Sequence, residues 1–195
     1  DSATEAIKQG GTRRGANMGI LRIDHPDIDL FIGMKADMTT LTNFNISVAV
    51  TEAFMKAVEA GTDFDIINPQ TGSIVGQRDA RQVWETMFAN AWKNGDPGVV
   101  FIDRINAGRA NPVPKRGPVE STNPCGEQPL YPYDSCNLGS INLGHFTKGP
   151  AGNKTVDYER LGTVVRRTVH LLDNVIEMNN YPIPEIAETS HAIRR

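Results

Sequence analysis

Only two cysteines occur in 195 residues, too few for a secreted disulfide scaffold. No apolar run approaches the roughly 18 residues that a membrane-spanning helix needs, which excludes such a span. Neither sign of charge is in excess. Twenty Lys+Arg against 23 Asp+Glu leave −3, which excludes the basic footprint of a nucleic-acid polymer binder and a polybasic membrane anchor. No internal repeat or low-complexity tract is present. The start, Asp1-Ser2-Ala3-Thr4-Glu5, lacks the basic-then-apolar order of a secretory leader, so a reducing cytoplasm is the expected compartment. What remains is the composition of a globular domain, 39% hydrophobic and 22% charged. The chain does not open on Met and closes at His191-Ala192-Ile193-Arg194-Arg195 straight after a helical pattern, so it is expected to be a piece of something longer.

Strand and helix signals alternate along the chain. Met18 to Ile23 reads as a short strand. Asp24 is a candidate N-cap for a helix opening at His25-Pro26-Asp27, with Ile28, Phe31 and Ile32 as its apolar face. Phe44, Ile46, Val48 and Val50 alternate with polar or small residues, which predicts a strand with one buried face. Thr51 caps a helix to about Ala60, closed by Gly61. Asp63 to Gly76 reads as a loop or small hairpin with turns at Asn68-Pro69 and Thr71-Gly72. Asp79 to Asn94 is an amphipathic helix, with Val83, Trp84, Met87, Phe88, Ala91 and Trp92 at helical spacing and Gly95 as the stop. Val99 to Ile102 is a short strand, Asn106 to Ser121 a loop, and Ser135 to Leu143 strand or turn. Asp157 to about Asn180 is a second helix with Leu161, Val164, Val165, Thr168, Leu172, Val175 and Ile176 on one face, ended by Tyr181-Pro182-Ile183-Pro184. This alternation predicts parallel α/β packing.

Three segments could carry chemistry. In Asn123-Pro124-Cys125-Gly126-Glu127, Pro124 fixes φ and Gly126 permits a tight bend, so Cys125 can sit at the tip of a rigid loop. Asn123 and Glu127, two residues to either side, can share its face. A neighbouring carboxylate raises a thiol pKa, which argues against a thiolate nucleophile and suits a protonated thiol used in hydrogen-atom chemistry. On composition alone, the plainer reading is a buried cysteine in a proline turn. Cys136 lies eleven residues on, outside any C-x-x-C pair or His/Cys cluster, which argues against zinc or another metal site; a small core residue is its plainer reading. The basic glycine loop Lys8-Gln9-Gly10-Gly11-Thr12-Arg13-Arg14-Gly15-Ala16 matches neither Walker A nor G-x-G-x-x-G. Its cations and flexible backbone could meet phosphates or bases, or could simply be solvated. His25, His145, His170 and His191 are scattered; His25 reads as structural at a helix start, and none is assigned catalysis.

Taken together, these segments resemble one family over nearly the whole chain, the large catalytic subunit of ribonucleotide reductase, and most of all its adenosylcobalamin-dependent class II form. The markers, in order, are Arg13-Arg14-Gly15-Ala16-Asn17-Met18, His25-Pro26-Asp27-Ile28, Leu41-Thr42-Asn43-Phe44-Asn45-Ile46-Ser47-Val48, Asn123 to Leu130, Ser135 to Leu143, and Tyr181-Pro182-Ile183-Pro184. The resemblance implies a ten-stranded α/β barrel with a central finger loop. Cys125 would be the thiyl-radical cysteine, Glu127 the general base on the ribose 3′-hydroxyl, and Asn123 a hydrogen-bonding partner of the ribose hydroxyls. Residues 123–127, with Pro124 and Gly126, would form the substrate-binding loop. Cys136 looks like one member of the redox-active disulfide, its partner outside this chain. Lys8, Gln9 and Arg13 resemble the specificity loop that relays the bound effector to the substrate base.

The resemblance further implies a ribonucleotide substrate, dNTP or ATP effectors, a thioredoxin- or glutaredoxin-type reductant and a homodimer. No cysteine precedes Cys125, and the family's C-terminal barrel strands, phosphate-binding segment and regenerating cysteine pair are not in the sequence. Residues 1–195 are therefore expected to form a partial catalytic barrel domain, incomplete at both ends and inactive alone. Two alternatives stand beside this reading. One is a class I large subunit, with no cofactor of its own, whose radical comes from a metal-containing small subunit. The other is a noncatalytic nucleotide-binding module, against which the intact Asn123, Cys125 and Glu127 speak.

Overall fold

A computed structural model describes residues 2–6, 8–9, 13–37 and 39–195. It divides into two compact units, Asp1–Pro132 and Tyr133–Arg195. The first opens with α1 (Ser2–Ala6), β1 (Lys8–Gln9) and β2 (Arg13–Arg14), the two strands paired antiparallel. Then come β3 (Asn17–Arg22), α2 (Ile28–Gly33), β4 (Phe44–Val50), α3 (Glu52–Ala60), the β5–β6 hairpin (Asp63–Ile67 and Ile74–Asp79), α4 (Ala80–Asn94), β7 (Gly98–Phe101) and α5 (Ile102–Ala107). The antiparallel pair β8 (Ser121–Thr122) and β9 (Pro129–Leu130) ends the unit.

Its frame is a three-stranded parallel sheet in the order β3-β4-β7, with Leu21 opposite Val48 and Val48 opposite Val99. This is α/β packing as the alternation predicts; no closed barrel occurs among the described residues. The cap predicted at Thr51 is present, and Asp79, read as the first residue of its helix, is the N-cap of α4. Thr51 Oγ1 accepts from Phe54 N at 3.1 Å and Asp79 Oδ1 from Gln82 N at 2.9 Å. Gly61 and Gly95 close their helices at φ 69° and 88°, a region that favours glycine.

One face of the sheet builds the main core. Val48, Val50 and Ile23 meet Ile28 and Ile32 of α2, Phe54 and Ala57 of α3, Phe64 and Ile66 of the hairpin, and Val83 and Met87 of α4. Phe54 and Phe64 pack edge-on with centroids 4.9 Å apart, a geometry aromatic pairs prefer. Phe54 is buried to the last per cent, so truncating it to Ala removes about 3–5 kcal/mol.

Four expectations need correction. Strand β4 is buried on both faces from Ile46 to Val50, because α5, unforeseen in sequence, brings Ile102 and Ile105 against Ala49 and Val100. Asp24 does not cap α2: its carboxylate takes Arg22 at 2.7 Å, and the helix starts four residues later, with His25 Nδ1 accepting from Asp27 N. On α4, Val83 and Met87 are buried, but Phe88 is exposed beside Trp84 and Trp92 is 93% exposed. Segment 135–142 forms no ladder.

The second unit holds the β10–β11 pair (Thr147–Lys148 and Thr155–Val156), α6 (Tyr158–Met178) and α7 (Pro184–Ile193). The run through Ser135–Asn142 lies along α6, with Gly139 against Leu172 and Thr168. Of the predicted α6 face, Ile176 is buried, whereas Val165 and Val175 stay exposed.

Candidate active site on the β8–β9 loop

The segment Asn123–Glu127 sits at the end of the β8–β9 stalk. Asn123 extends the ladder by one step: its N–H donates to Gln128 O at 3.2 Å and its Oδ1 accepts from Gln128 N at 2.9 Å. Gly126 N donates to Asn123 O at 2.9 Å. This is a β-turn with Pro124 and Cys125 at its two central positions, and proline is favoured at the first of them. Gly126 follows at φ 80°, the bend its sequence position predicts. Cys125, Gly126 and Glu127 are exposed, and Asn123 and Pro124 half-buried. The reading of Cys125 as a buried core thiol is therefore set aside. The loop brings Asn123, Cys125 and Glu127 together on one short turn.

Two sets of polar groups hold this turn. Asn45 Nδ2, on β4, donates to Pro124 O at 2.6 Å. Below it, a side-chain network fixes the loop between α5 and β8. Asn106 Nδ2 donates to Val119 O at 2.9 Å, and its Oδ1 accepts from Val119 N at 2.7 Å. Asn111 Nδ2 reaches Asn106 Oδ1 and Gly117 O, both at 3.2 Å. Tyr131, beside β9, hydrogen-bonds Asn111 Oδ1 and accepts from Val113 N. The stalk is thereby tied to the end of α5. Sequence reasoning missed these residues; the only signal was a cluster of asparagines in a segment rich in Gly and Pro.

A pocket of about 410 Å³ borders the loop at Thr122 and Gly126, with Phe101, Arg104 and Arg109 on its other wall. That volume falls within the range of small-molecule sites. Arg104 is also bound to Glu52 at 2.6 Å, which holds its guanidinium above the usual arginine range. A larger pocket, about 560 Å³ between α3 and the β5–β6 hairpin, includes no residue of the loop.

Cys136 lies in the second unit and is half-buried. It borders a pocket of about 180 Å³ with Val175, Ile176, Asn179 and Tyr181. Its neighbours are fixed: Ser135 Oγ meets Ser190 Oγ at 2.6 Å, and Asn137 Nδ2 donates to Arg195 O at 3.0 Å. Neither cysteine forms a disulfide. The side chains of Lys8, Gln9 and Arg13, the expected specificity-loop residues, lie outside the described residues; their backbones form the β1–β2 pair. His145, His170 and His191 belong to neither site; Tyr181 packs edge-on against His191.

The described residues thus combine a parallel α/β sheet with a cysteine on the tight turn of a separate antiparallel pair. The family model for the ribonucleotide reductase barrel domain matches residues 1–195, and the chain belongs to that family. Among its relatives, the vitamin B12-dependent ribonucleoside-diphosphate reductase of Thermoplasma acidophilum is 46% identical over the whole chain and 25% of the relative. The protein of the same name from Mycobacterium tuberculosis (strain CDC 1551 / Oshkosh) is 47% identical, over 28% of its length. A vitamin B12-dependent ribonucleotide reductase of Streptomyces clavuligerus is 36% identical, over 23% of its length. The chain thus spans about a quarter of the length of these relatives.

Proposed function

We propose that the full-length protein carrying this chain reduces ribonucleotides to 2′-deoxyribonucleotides by thiyl-radical chemistry on the 123–127 loop, and that it is of the adenosylcobalamin-dependent form. The observation that carries this reading is Cys125, held at the exposed apex of a tight turn between Asn123 and Glu127, in a chain of the reductase barrel family. The cobalamin assignment follows the names of the relatives at 46% and 47% identity, which fit this form rather than class I.

The residues present fit such a cofactor. Cys125 is exposed and unbridged, so its thiol hydrogen can be reached. Adenosylcobalamin, when bound, supplies the radical chemistry; the protein supplies position and shielding. No residue of this chain is assigned to the corrin. The Cys125 thiyl takes the 3′-hydrogen of the ribose. Glu127 accepts the 3′-hydroxyl proton. Asn123 spends Oδ1 on Gln128 N, so its Nδ2 is the end that meets a ribose hydroxyl. The 2′-hydroxyl leaves as water. Two electrons and two protons come from a dithiol that ends as a disulfide, with Cys136 as one partner and a cysteine outside this chain as the other.

In this reading the chain is part of a ten-stranded barrel, residues 1–195 being incomplete at both ends and inactive alone, and the remainder closes over the exposed turn to exclude water. Lys8, Gln9 and Arg13 relay a bound dNTP or ATP effector. A thioredoxin- or glutaredoxin-type reductant restores the dithiol in the cytoplasm, and the working unit is a homodimer.

The test is a turnover of the full-length protein under anaerobic conditions with adenosylcobalamin, one equivalent of a ribonucleoside di- or triphosphate and no external dithiol. Thiols are then alkylated and mapped by mass spectrometry. The expected result is cobalamin-dependent product, Cys136 in a disulfide with a cysteine outside residues 1–195, and Cys125 recovered as a thiol. Product accompanied by a Cys125–Cys136 disulfide, or no product with cobalamin, overturns the assignment.

A further inference from the structure

We propose that Asn45 is the positioning residue that aims Cys125. This rests on the reading of Cys125 as the radical carrier. The bonds within the turn, Gly126 N to Asn123 O and the two between Asn123 and Gln128, close its neck. They do not tie the tip to the sheet, and the stalk beneath it, a ladder of Ser121–Leu130 and Thr122–Pro129, is anchored to α5 only at its base, through Asn106, Asn111 and Tyr131. Among the described hydrogen bonds, the one that reaches residues 124–127 from another element is Asn45 Nδ2 to Pro124 O, at 2.6 Å.

The bonded atom matters. Pro124 C=O belongs to the peptide unit that ends at the Cys125 Cα, and that unit is planar. Holding the oxygen therefore orients the whole plane up to Cys125 and leaves side-chain rotation to place Sγ.

The donor is itself anchored. Asn45 lies opposite Met18 on β3, before β7 begins to pair at Ser47. In place of the missing β7 partner, Lys35 Nζ donates to Phe44 O at 2.5 Å and Ile46 N donates to Asp96 Oδ1 at 3.3 Å. Lys35 and Asp96 pair with each other at 2.7 Å, both side chains largely buried. The residues before and after Asn45 are thus gripped by one ion pair. A rigid sheet position is an accurate base for a catalytic loop, whereas the turn alone is not.

The experiment uses the full-length protein with Asn45→Ala, Asn45→Asp and Asn45→Gln. A misplacement of about 1 Å costs on the order of 100-fold in rate. Asn45→Ala is expected to lower kcat by roughly that factor with KM within about threefold. Asn45→Asp, which has no donor, behaves alike, and Asn45→Gln recovers part of the loss. Hydrogen exchange at residues 123–128 speeds up by roughly fivefold in Asn45→Ala, the worth of one ordinary hydrogen bond, while β3, β4 and β7 keep their protection. Unchanged kcat and loop exchange, or a rise spread evenly over the sheet, overturns the proposal. If the wild-type protein shows no reduction, the functional reading fails, and loop exchange still decides whether Asn45 holds the turn.

Discussion

Replacing Asn106 with Ala should loosen the stalk that carries Cys125. The side chain satisfies both Val119 N and Val119 O, at 2.7 and 2.9 Å, and Val119 is 1% exposed. Alanine leaves both backbone groups without partners in a place that water does not reach. Each such group costs about 1–3 kcal/mol, so the local cost is about 2–4 kcal/mol at the lower end of additivity. Since 1.36 kcal/mol is a tenfold change, amides of 117–131 should exchange roughly 30- to 1,000-fold faster. Asn106→Asp keeps the acceptor for Val119 N and loses the donor to Val119 O, so it should lie about halfway in energy. Native-state hydrogen exchange of the full-length protein reads both variants. Because the loop rides on this stalk, kcat should fall at least about tenfold alongside. Wild-type exchange over 117–131 in Asn106→Ala would refute the reasoning, since it would mean that the network carries no load.

Gly98 faces Ser47 across the β4–β7 ladder, and a Cβ there would lie 2.7 Å from Ser47 Oγ but 3.7 Å from its Cβ. Gly98→Ala should therefore destabilise by about 1–3 kcal/mol, and adding Ser47→Ala should recover most of it, measured as midpoints of denaturant unfolding. In the second unit, the Arg194 guanidinium donates to the Asp173 carboxyl at 2.7 Å and holds its pKa below the usual aspartate range. A folded value lowered in this way stabilises above the unfolded pKa and is lost as pH falls through the folded one. Arg194→Ala should raise the Asp173 titration toward the ordinary value, as followed by carboxyl NMR.

Much of the frame is legible in the residues. Thr51, Gly61 and Gly95 mark helix ends by local chemistry that does not depend on the rest of the fold. The turn at Pro124-Cys125-Gly126 is legible for the same reason. What stayed hidden depends on partners distant in sequence. Helix α5 is six residues long, too short for periodicity to separate it from the strand before it. Without α5, one face of β4 reads as open to water, and Asn45 reads as a solvated position on that face. Its acceptor, Pro124 O, lies 79 residues away. Tyr131 and Asn111, twenty residues apart, are likewise partners only once the stalk is built. Composition favours a buried Cys125, whereas the structure exposes it, because it is a central residue of the turn at the tip of the β8–β9 stalk.

The most direct test of the central claim is deoxyribonucleotide formation by the full-length protein, assayed anaerobically with adenosylcobalamin and a dithiol, for wild type and Cys125→Ser. The account predicts cobalamin-dependent product in the wild type and none in the variant, with substrate binding retained. Product from Cys125→Ser at a rate near wild type would contradict it.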